Sequence, residues 1–282
     1  MPTLEIKNLC KHYPSFDLVD VSFNLLPGRI MGFIGRNGAG KSTTLKCIYN
    51  LVEPTSGAIL YDGQEIRNIE AKAKSEIGLL FGEITYYPNK TVRQMSSITK
   101  IFYPEWNEQL YRSYLQSFNI DDSKKIKSLS SGMKVKYGLA LALSHGAKIL
   151  LLDEPTSGLD PVSRDELLDV FTQIVSDGEH SILFSTHVIS DLEKCADDIT
   201  YIQKGKILVS EKVQDFEKEY YYYAGDEKDL PLDESKFIHV RKNRGKFEAV
   251  ARSVDNIEVP GVKRHYATLE EIMIALERGN VL

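Results

Sequence analysis

The sequence predicts an α/β protein with a mixed sheet as its core, an antiparallel N-terminal β-subdomain, a helical subdomain and a small C-terminal accessory domain. Three observations favour this class. A buried strand at residues 29–34 leads through a glycine-rich loop into a helix that begins at Ser42. Apolar runs at residues 148–153 and 181–185 are typical of central parallel strands. The stretch between these runs has helical periodicity, so the three segments form a strand–helix–strand unit.

Composition, net charge and cysteine placement argue against several classes of protein. The chain has 282 residues, of which 42% are hydrophobic and 27% charged, as in a soluble protein with one large and one small domain. A net charge of −5 gives no reason to expect a nucleic-acid partner. We find neither a membrane-spanning apolar run nor a secretory signal, and the three cysteines are scattered, which suggests a cytoplasmic protein without disulfides or a metal cluster.

The first part of the chain alternates between strand and turn patterns. Pro27-Gly28 is a turn signal directly before the strand at 29–34. Asp62-Gly63 is typical of the tip of a hairpin. The remaining predicted segments are strands at residues 4–10 and 19–25, a helix at 42–49, a hairpin at 58–66 and a strand at 77–81.

A helical subdomain is predicted from about residue 83 to 146, with aromatic residues in its loops. A later helix has Asp160 at its N-cap, Pro161 at its first position and Gly178 beyond its end. An edge hairpin follows at residues 199–210. We therefore predict a first domain at residues 1–215.

Residues 216–282 are predicted to form a small α+β accessory domain. Four consecutive tyrosines, Tyr220 to Tyr223, open it in a charged setting. Residues 237–240 and 247–251 could be short strands, and Thr268 with Glu271 makes a capping box for a last helix. We find no catalytic motif in this region.

The stretch Gly35–Thr43 fits the phosphate-binding template G-x-x-x-x-G-K-[ST] without a mismatch. Glycines let the backbone point successive N–H groups at one place, and the helix N-terminus adds partial positive charge there. Lys41 would reach the β- and γ-phosphates of a nucleotide, and the Ser42 hydroxyl would ligate Mg²⁺. The residues expected to bind the nucleotide here are Asn37, Gly38, Ala39, Gly40, Lys41, Ser42 and Thr43.

Two further predicted strands end in reactive side chains. Asp153 and Glu154 follow one strand, and His187 follows the next. Ligands bind at the carboxyl ends of parallel strands, so these side chains should converge with the phosphate loop. Asp153 would hold Mg²⁺ through its waters, Glu154 would act as the general base, and His187 would contact the γ-phosphate and orient Glu154.

A second helix start carries Ser130, Ser131 and Gly132. Small hydroxyl residues and a glycine at a helix N-terminus suit phosphate binding. Serine is also a favoured N-cap residue, and the pattern alone indicates no more than that.

Taken together, residues 4–210 resemble the ATP-binding subunit of an ABC transporter. The resemblance implies a P-loop NTPase fold of the ABC type and the cofactors ATP and Mg²⁺. It assigns family roles to matching positions. These are Tyr13 for stacking on adenine, Gly35–Thr43 as Walker A, Ser130–Gly132 as the signature, Asp153 and Glu154 as Walker B and catalytic glutamate, Ser157–Asp160 as the D-loop and His187 as the switch histidine.

The sequence departs from the family pattern in two places. The signature usually ends in Gly-Gly-Gln, whereas this chain has Ser131-Gly132-Met133. The glutamine of the Q-loop is missing, and its place falls at Gly82 or Glu83. We expect Glu83 to replace it as a ligand of Mg²⁺ or water that senses the nucleotide.

The resemblance also implies partners. Two ATP-binding subunits, identical or paralogous, would sandwich two ATP molecules, and a separate transmembrane permease would hold them at the inner face of the cell membrane. Local stretches such as residues 80–83, 86–89 and 268–273 resemble bacterial exporters of peptides or drugs. Aromatic loops between Tyr86 and Trp106 are the expected docking surface. Two alternatives stay open: an ATPase that regulates a membrane protein without transport, and a soluble ABC-type ATPase.

Overall fold

The computed structural model describes residues 3–81, 87–231 and 233–279. The chain divides into two compact units, Met1–Ser210 and Glu211–Leu282, and each is described by itself. The helical bounds in the first unit are α1 Lys41–Ile48, α2 Glu70–Glu76, α3 Val92–Thr99, α4 Glu108–Ser117, α5 Ser131–Ser144, α6 Pro161–Val175 and α7 Ile189–Cys195. The strand bounds there are β1 Leu4–Tyr13, β2 Phe16–Leu25, β3 Ile30–Ile34, β4 Ser56–Tyr61, β5 Gln64–Glu65, β6 Ile77–Phe81, β7 Ile149–Asp153, β8 Ser181–Thr186, β9 Asp198–Gln203 and β10 Lys206–Lys212.

An antiparallel sheet with the order β2-β1-β4-β5 forms the N-terminal subdomain. Its first two strands are longer than the sequence patterns suggested, because they pair from Leu4 opposite Leu25 to Tyr13 opposite Phe16. The predicted turn between β4 and β5 is present, with φ of 48° at Asp62 and 75° at Gly63. Two successive positive φ angles are typical of a two-residue hairpin turn whose twist matches that of the strands.

A six-stranded sheet with the order β10-β9-β3-β8-β7-β6 forms the centre of the first unit. The neighbours β3, β8, β7 and β6 run parallel and in register, so Phe33, Ser185, Asp153 and Phe81 form one row across the sheet. All four strands therefore end at the same edge. Polar residues that follow them are brought together by strand pairing alone.

One buried core joins the two sheets across α1, and it contains Leu4, Phe33, Leu45 and Leu151. The helices α3, α4 and α5 have a core of their own around Val92, which agrees with the predicted helical subdomain. Within that second core, the Ser96 hydroxyl lies 2.9 Å from the Tyr137 hydroxyl. Because both hydroxyls are buried away from water, their pairing satisfies hydrogen bonds that would otherwise be unmade.

The three cysteines are free thiols. Burial raises the pKa of Cys47 to about 11 and that of Cys195 to about 12. Both therefore remain protonated near neutral pH and behave as small apolar residues. Among the described residues, we find no helix that is both long and apolar enough to cross a membrane.

The elements of the second unit are α8 Val213–Lys218, β11 Tyr220–Asp226, β12 His239–Asn243, β13 Lys246–Arg252, β14 Lys263–Tyr266 and α9 Leu269–Arg278. Its four strands form an antiparallel sheet with the order β12-β13-β11-β14. The tyrosine run begins β11, and Tyr223 and Phe247 belong to a separate buried core. The capping box at Thr268 is present, with its hydroxyl accepting from Glu271 N at 3.3 Å.

Candidate nucleotide-binding and hydrolysis site

The phosphate loop connects β3 to α1, as predicted. Gly38 and Gly40 have φ of 81° and 117°, in the region that favours glycine. A Cβ atom at Gly35 would lie 2.4 Å from the Ile202 carbonyl oxygen. Glycine is therefore required at these positions for the loop to turn tightly into the helix.

Lys41 is held at the centre of this loop. Its ammonium group donates to the Gly35 carbonyl oxygen at 2.6 Å and lies 3.2 Å from Glu154 Oε1. Only 6% of its side chain is exposed. A buried ammonium group needs such partners, and they fix its position beside the backbone N–H groups of the loop.

A cavity of about 500 Å³ lies over the loop. Within the described chain, the residues predicted to bind the nucleotide from Asn37 to Thr43 all line it except Ala39, and Glu154 lines it too. Ser15, Phe16 and Arg36 line it as well. The full lining is Ser15, Phe16, Arg36, Asn37, Gly38, Gly40, Lys41, Ser42, Thr43 and Glu154. Ser15 and Phe16 were not predicted from the sequence, although Phe16 is an aromatic residue that pairs with Tyr13 across the turn.

Asp153 and Glu154 lie beside the end of β8. Asp153 Oδ1 accepts a hydrogen bond of 2.6 Å from the Ser185 hydroxyl. Glu154 has φ of 51°, which is uncommon for a residue with a side chain. Its N–H donates to the Ser185 hydroxyl oxygen at 2.9 Å and to the Ser185 carbonyl oxygen at 3.1 Å.

The Glu154 carboxylate also contacts His187. Glu154 Oε2 lies 2.7 Å from His187 Nδ1, and because a carboxylate accepts, Nδ1 carries the proton in this bond. The structure therefore brings together the lysine of the phosphate loop, the predicted base and the predicted switch histidine. The Glu154 carboxylate, which lines the cavity, thus lies between the Lys41 ammonium and the His187 ring.

Other predicted residues lie elsewhere. Tyr13 ends β1 with an exposed ring, over which the Lys11 ammonium lies at 5.3 Å from the centroid, and it does not line the cavity within the described chain. Ser130 caps α5 by accepting from Met133 N at 3.2 Å. Within the described chain, Ser130, Ser131 and Gly132 do not line the cavity either. Glu83 and Gly82 lie outside the described residues.

The predicted D-loop follows Glu154 and leads into α6. Asp160 caps that helix by accepting from Val162 N and Ser163 N, both at 3.1 Å. The hydrogen bonds from Ser163 hold the pKa of Asp160 below its usual value. At the start of the loop, the Thr156 hydroxyl donates to Asp191 Oδ2 at 2.6 Å, and both residues are buried. Asp191 was not predicted from the sequence, because nothing in its local pattern indicates that it is buried.

The oxygen atoms at the site suit Mg²⁺. Ser42 supplies a hydroxyl and Asp153 a carboxylate, which are the hard oxygen donors that Mg²⁺ prefers. Among the described residues, no group of three His, Cys, Asp or Glu side chains is placed to hold a metal ion. Mg²⁺ is usually held by one or two carboxylates together with nucleotide phosphates and water, so this donor set fits the ion.

A phosphate loop at a helix start, with carboxylates and a histidine at neighbouring strand ends, defines a P-loop nucleoside triphosphatase. Residues 18–157 match the family model described as ABC transporter. Over 213 residues, the chain is 34% identical to the lantibiotic transport ATP-binding protein SrtF of Streptococcus pyogenes, with 74% of this chain and 90% of that protein covered. The chain belongs to the ABC transporter ATP-binding proteins, and it is an ATPase of that family.

Two further comparisons extend this result. The bacitracin transport ATP-binding protein BcrA of Bacillus licheniformis is 28% identical over 266 residues, covering 93% of this chain and 79% of that protein. The solved structure of cbiO1 from Clostridium perfringens, described as part of the ABC transporter complex cbiONQ, has a TM-score of 0.68 at 25% identity, covering 76% of this chain and 90% of that one. The predicted fold class is confirmed.

Proposed function

We propose that this ABC transporter subunit hydrolyses ATP to power export of a peptide, drug or similar substrate through a separate membrane-spanning subunit. The observation that carries the proposal is the contact of Glu154 with both Lys41 and His187 at the edge of a parallel sheet. Two relatives are named for lantibiotic and for bacitracin transport, which supports this substrate class.

The proposed chemistry assigns one task to each side chain. Lys41 and the loop N–H groups bind the phosphates, and Mg²⁺, held by Ser42 and Asp153, supplies charge neutralisation when bound. Glu154 accepts a proton from the attacking water, and His187 holds the Glu154 carboxylate through its Nδ1 proton. Tyr13 is proposed to stack on adenine and Glu83 to sense the nucleotide.

We propose that a second ATP-binding subunit completes the site. Ser130 and Ser131 are exposed at the start of α5, and they do not line the phosphate cavity within the described chain. A helix N-terminus that faces solvent can meet a phosphate bound to another subunit. Two subunits related by a two-fold axis would then close over two ATP molecules, and hydrolysis would release them.

The closure has a direct test. Glu154→Gln keeps the loop and the Mg²⁺ ligands but removes the base, so this variant should form an ATP-dependent dimer that light scattering detects. Adding Ser131→Arg should prevent that dimer. Ser131 is exposed, so the larger side chain should leave the fold of the subunit intact and block only the proposed contact of the α5 start with the second subunit. Matching dimer levels in the two proteins would contradict the proposed role of the α5 start.

The permease is proposed to dock on the aromatic loops of the helical subdomain. Tyr87 and Phe102 are exposed by 67% and 73%. Two other aromatics of these loops are structural, because Tyr103 stacks on His145 and Trp106 packs on Tyr111. Tyr86 lies outside the described residues. Replacing both Tyr87 and Phe102 with Ala should reduce copurification with the membrane partner, whereas Val162→Ala, at another exposed apolar position, should not.

Transport itself is tested in proteoliposomes that contain the subunit and the membrane protein that copurifies with it. Labelled bacitracin is the first probe. ATP-dependent accumulation with the parent chain, and none with Lys41→Ala, is the expected result. ATP turnover without movement of bacitracin or of a panel of peptides and drugs would favour the non-transporting regulator. Failure of any membrane protein to copurify with an active chain would favour the soluble ATPase.

A further inference from the structure

Ser185 lies at the centre of the site, although no recognised motif position includes it. It is the penultimate residue of β8, it is fully buried, and it pairs in register with Asp153 of β7. Its hydroxyl oxygen lies 2.6 Å from Asp153 Oδ1 and 2.9 Å from Glu154 N. One side chain thus contacts both acidic residues of the proposed hydrolytic site.

The directions of these two bonds follow from the groups involved. A serine hydroxyl has one hydrogen to donate and two lone pairs to accept with. The Asp153 carboxylate can only accept, and the Glu154 N–H can only donate. The hydroxyl hydrogen therefore points to Asp153, and a lone pair faces Glu154.

The bond to Glu154 acts on an unusual backbone. Glu154 has φ of 51°, a conformation that costs free energy and is kept only where the surroundings hold it. The Glu154 N–H donates to two oxygens of Ser185, the hydroxyl oxygen and the carbonyl oxygen. In this conformation the carboxylate reaches both Lys41 and His187.

We propose that Ser185 is a positioning residue for ATP hydrolysis. Its hydroxyl orients the Asp153 carboxylate toward Mg²⁺ and, at the same time, holds the backbone turn that aims Glu154 at the attacking water. This proposal rests on the proposed roles of Asp153 and Glu154. Ser185 contacts neither nucleotide nor water in this account, because it acts through the two acidic residues.

The chain offers a matched control at the other end of the same strand. Ser181 is also fully buried, and its hydroxyl also makes two bonds, accepting from Gly28 N and donating to the Leu26 carbonyl oxygen, both at 3.1 Å. Ser185→Ala and Ser181→Ala therefore remove the same group from equally buried sites. Their losses of thermal stability should be similar, and only Ser185→Ala should affect the site.

The experiment measures turnover and metal binding in both variants. Ser185→Ala should lower kcat by about 10- to 100-fold. KM for ATP, measured at saturating Mg²⁺, should change less than about threefold, because the phosphate contacts of the loop are kept. Binding of Mn²⁺ to the ADP-loaded protein, followed by electron paramagnetic resonance, should weaken by about tenfold, as expected when a residue supporting a metal ligand is removed. Ser181→Ala should leave kcat within twofold and Mn²⁺ binding unchanged.

Two further variants at position 185 separate loss of the hydroxyl from loss of folding. Ser185→Thr retains the hydroxyl and should recover most of the lost turnover. Should Ser185→Ala fail to fold, Ser185→Cys, which keeps a similar size but donates only weakly, should show the same split between kcat and KM. Equal losses of kcat in the Ser185→Ala and Ser181→Ala proteins, or undiminished Mn²⁺ binding, would overturn the proposal. Normal turnover in Glu154→Gln would instead overturn the proposed function on which it rests.

Discussion

The two ends of the six-stranded sheet both carry buried charged groups, and they differ in how those groups are paired. At the amino end, Arg29 and Asp198 form a two-pronged ion pair, with Nε to Oδ2 at 2.6 Å and Nη2 to Oδ1 at 2.8 Å. At the carboxyl end, Glu154 lies between Lys41 and His187, at 3.2 Å and 2.7 Å. The first arrangement matches donors to acceptors within the fold, whereas the second gathers reactive groups beside a cavity.

This difference shows that burial alone does not identify a functional charge. Arg29 and Asp198 join β3 to β9 where both strands begin, so their pairing stabilises the sheet. Lys41 begins α1 after the phosphate loop, whereas Glu154 and His187 directly follow the ends of β7 and β8. We therefore expect substitutions at the carboxyl end to change turnover and substitutions at the amino end to change the free energy of unfolding.

The largest effect is expected from Glu154→Gln. Loss of a general base typically lowers kcat by about 10²- to 10⁴-fold. The amide keeps the size of the side chain, so thermal unfolding should shift little. Asp198→Asn is the matched carboxylate-to-amide change at the amino end, and it should leave kcat within twofold while lowering the unfolding temperature. A reversed result, with turnover lost only in Asp198→Asn, would break the comparison.

Next in size is Arg29→Met, which keeps the apolar stem but removes the two-pronged ion pair with the Asp198 carboxylate, only 8% of which is exposed. Breaking a fully buried pair costs about 3–5 kcal/mol when the remaining charge has no compensation. Because Arg29 is 26% exposed, the expected loss lies at the lower bound of that range or below it. Chemical denaturation measures it. Lys246→Met removes a pair that is exposed on both sides and should change the free energy of unfolding much less than Arg29→Met does.

A smaller effect is expected from Thr156→Val, which removes the hydroxyl that donates to Asp191. Leaving a buried acceptor without this donor costs about 1–3 kcal/mol. The loop from Glu154 to Asp160 would also lose an anchor, so kcat should fall by up to about tenfold. Thr172→Val, which removes a half-buried bond to the Leu168 carbonyl oxygen on α6, is the control. Equal turnover in the two variants would place Thr156 with the purely structural groups.

The sequence predicted which reactive residues lie at the carboxyl end of the six-stranded sheet, because each of them directly follows an apolar strand or a glycine pattern. Ser185 was included in a predicted strand, but its contact with Asp153 depends on the register between β7 and β8, which local patterns do not contain. The strand β11 escaped prediction because tyrosine is both apolar and polar, so four in a row show no alternation. The strand β14, Lys263–Tyr266, is exposed at every position and has no hydrophobic period.

The smallest expected effect concerns His145, which follows α5 just before β7 at the amino end of the sheet. It stacks on Tyr103, and its Nδ1 donates to the Ser75 carbonyl oxygen at 3.0 Å. Burial lowers the pKa of His145, and the bond to Ser75 opposes that shift only in part. The unfolded chain therefore binds a proton at a higher pH than the folded one.

It follows that the contribution of His145 to stability is complete above the ordinary histidine pKa of about 6.5 and declines as the pH falls from there toward its lower folded pKa. His145→Gln, which cannot titrate, should remove this part of the pH dependence when the free energy of unfolding is measured between pH 7 and pH 5. Turnover of the folded protein should keep the parent's pH profile, because this histidine lies at the amino end. A changed profile would show that the two ends of the sheet are coupled and that their separation into stabilising and catalytic groups is incomplete.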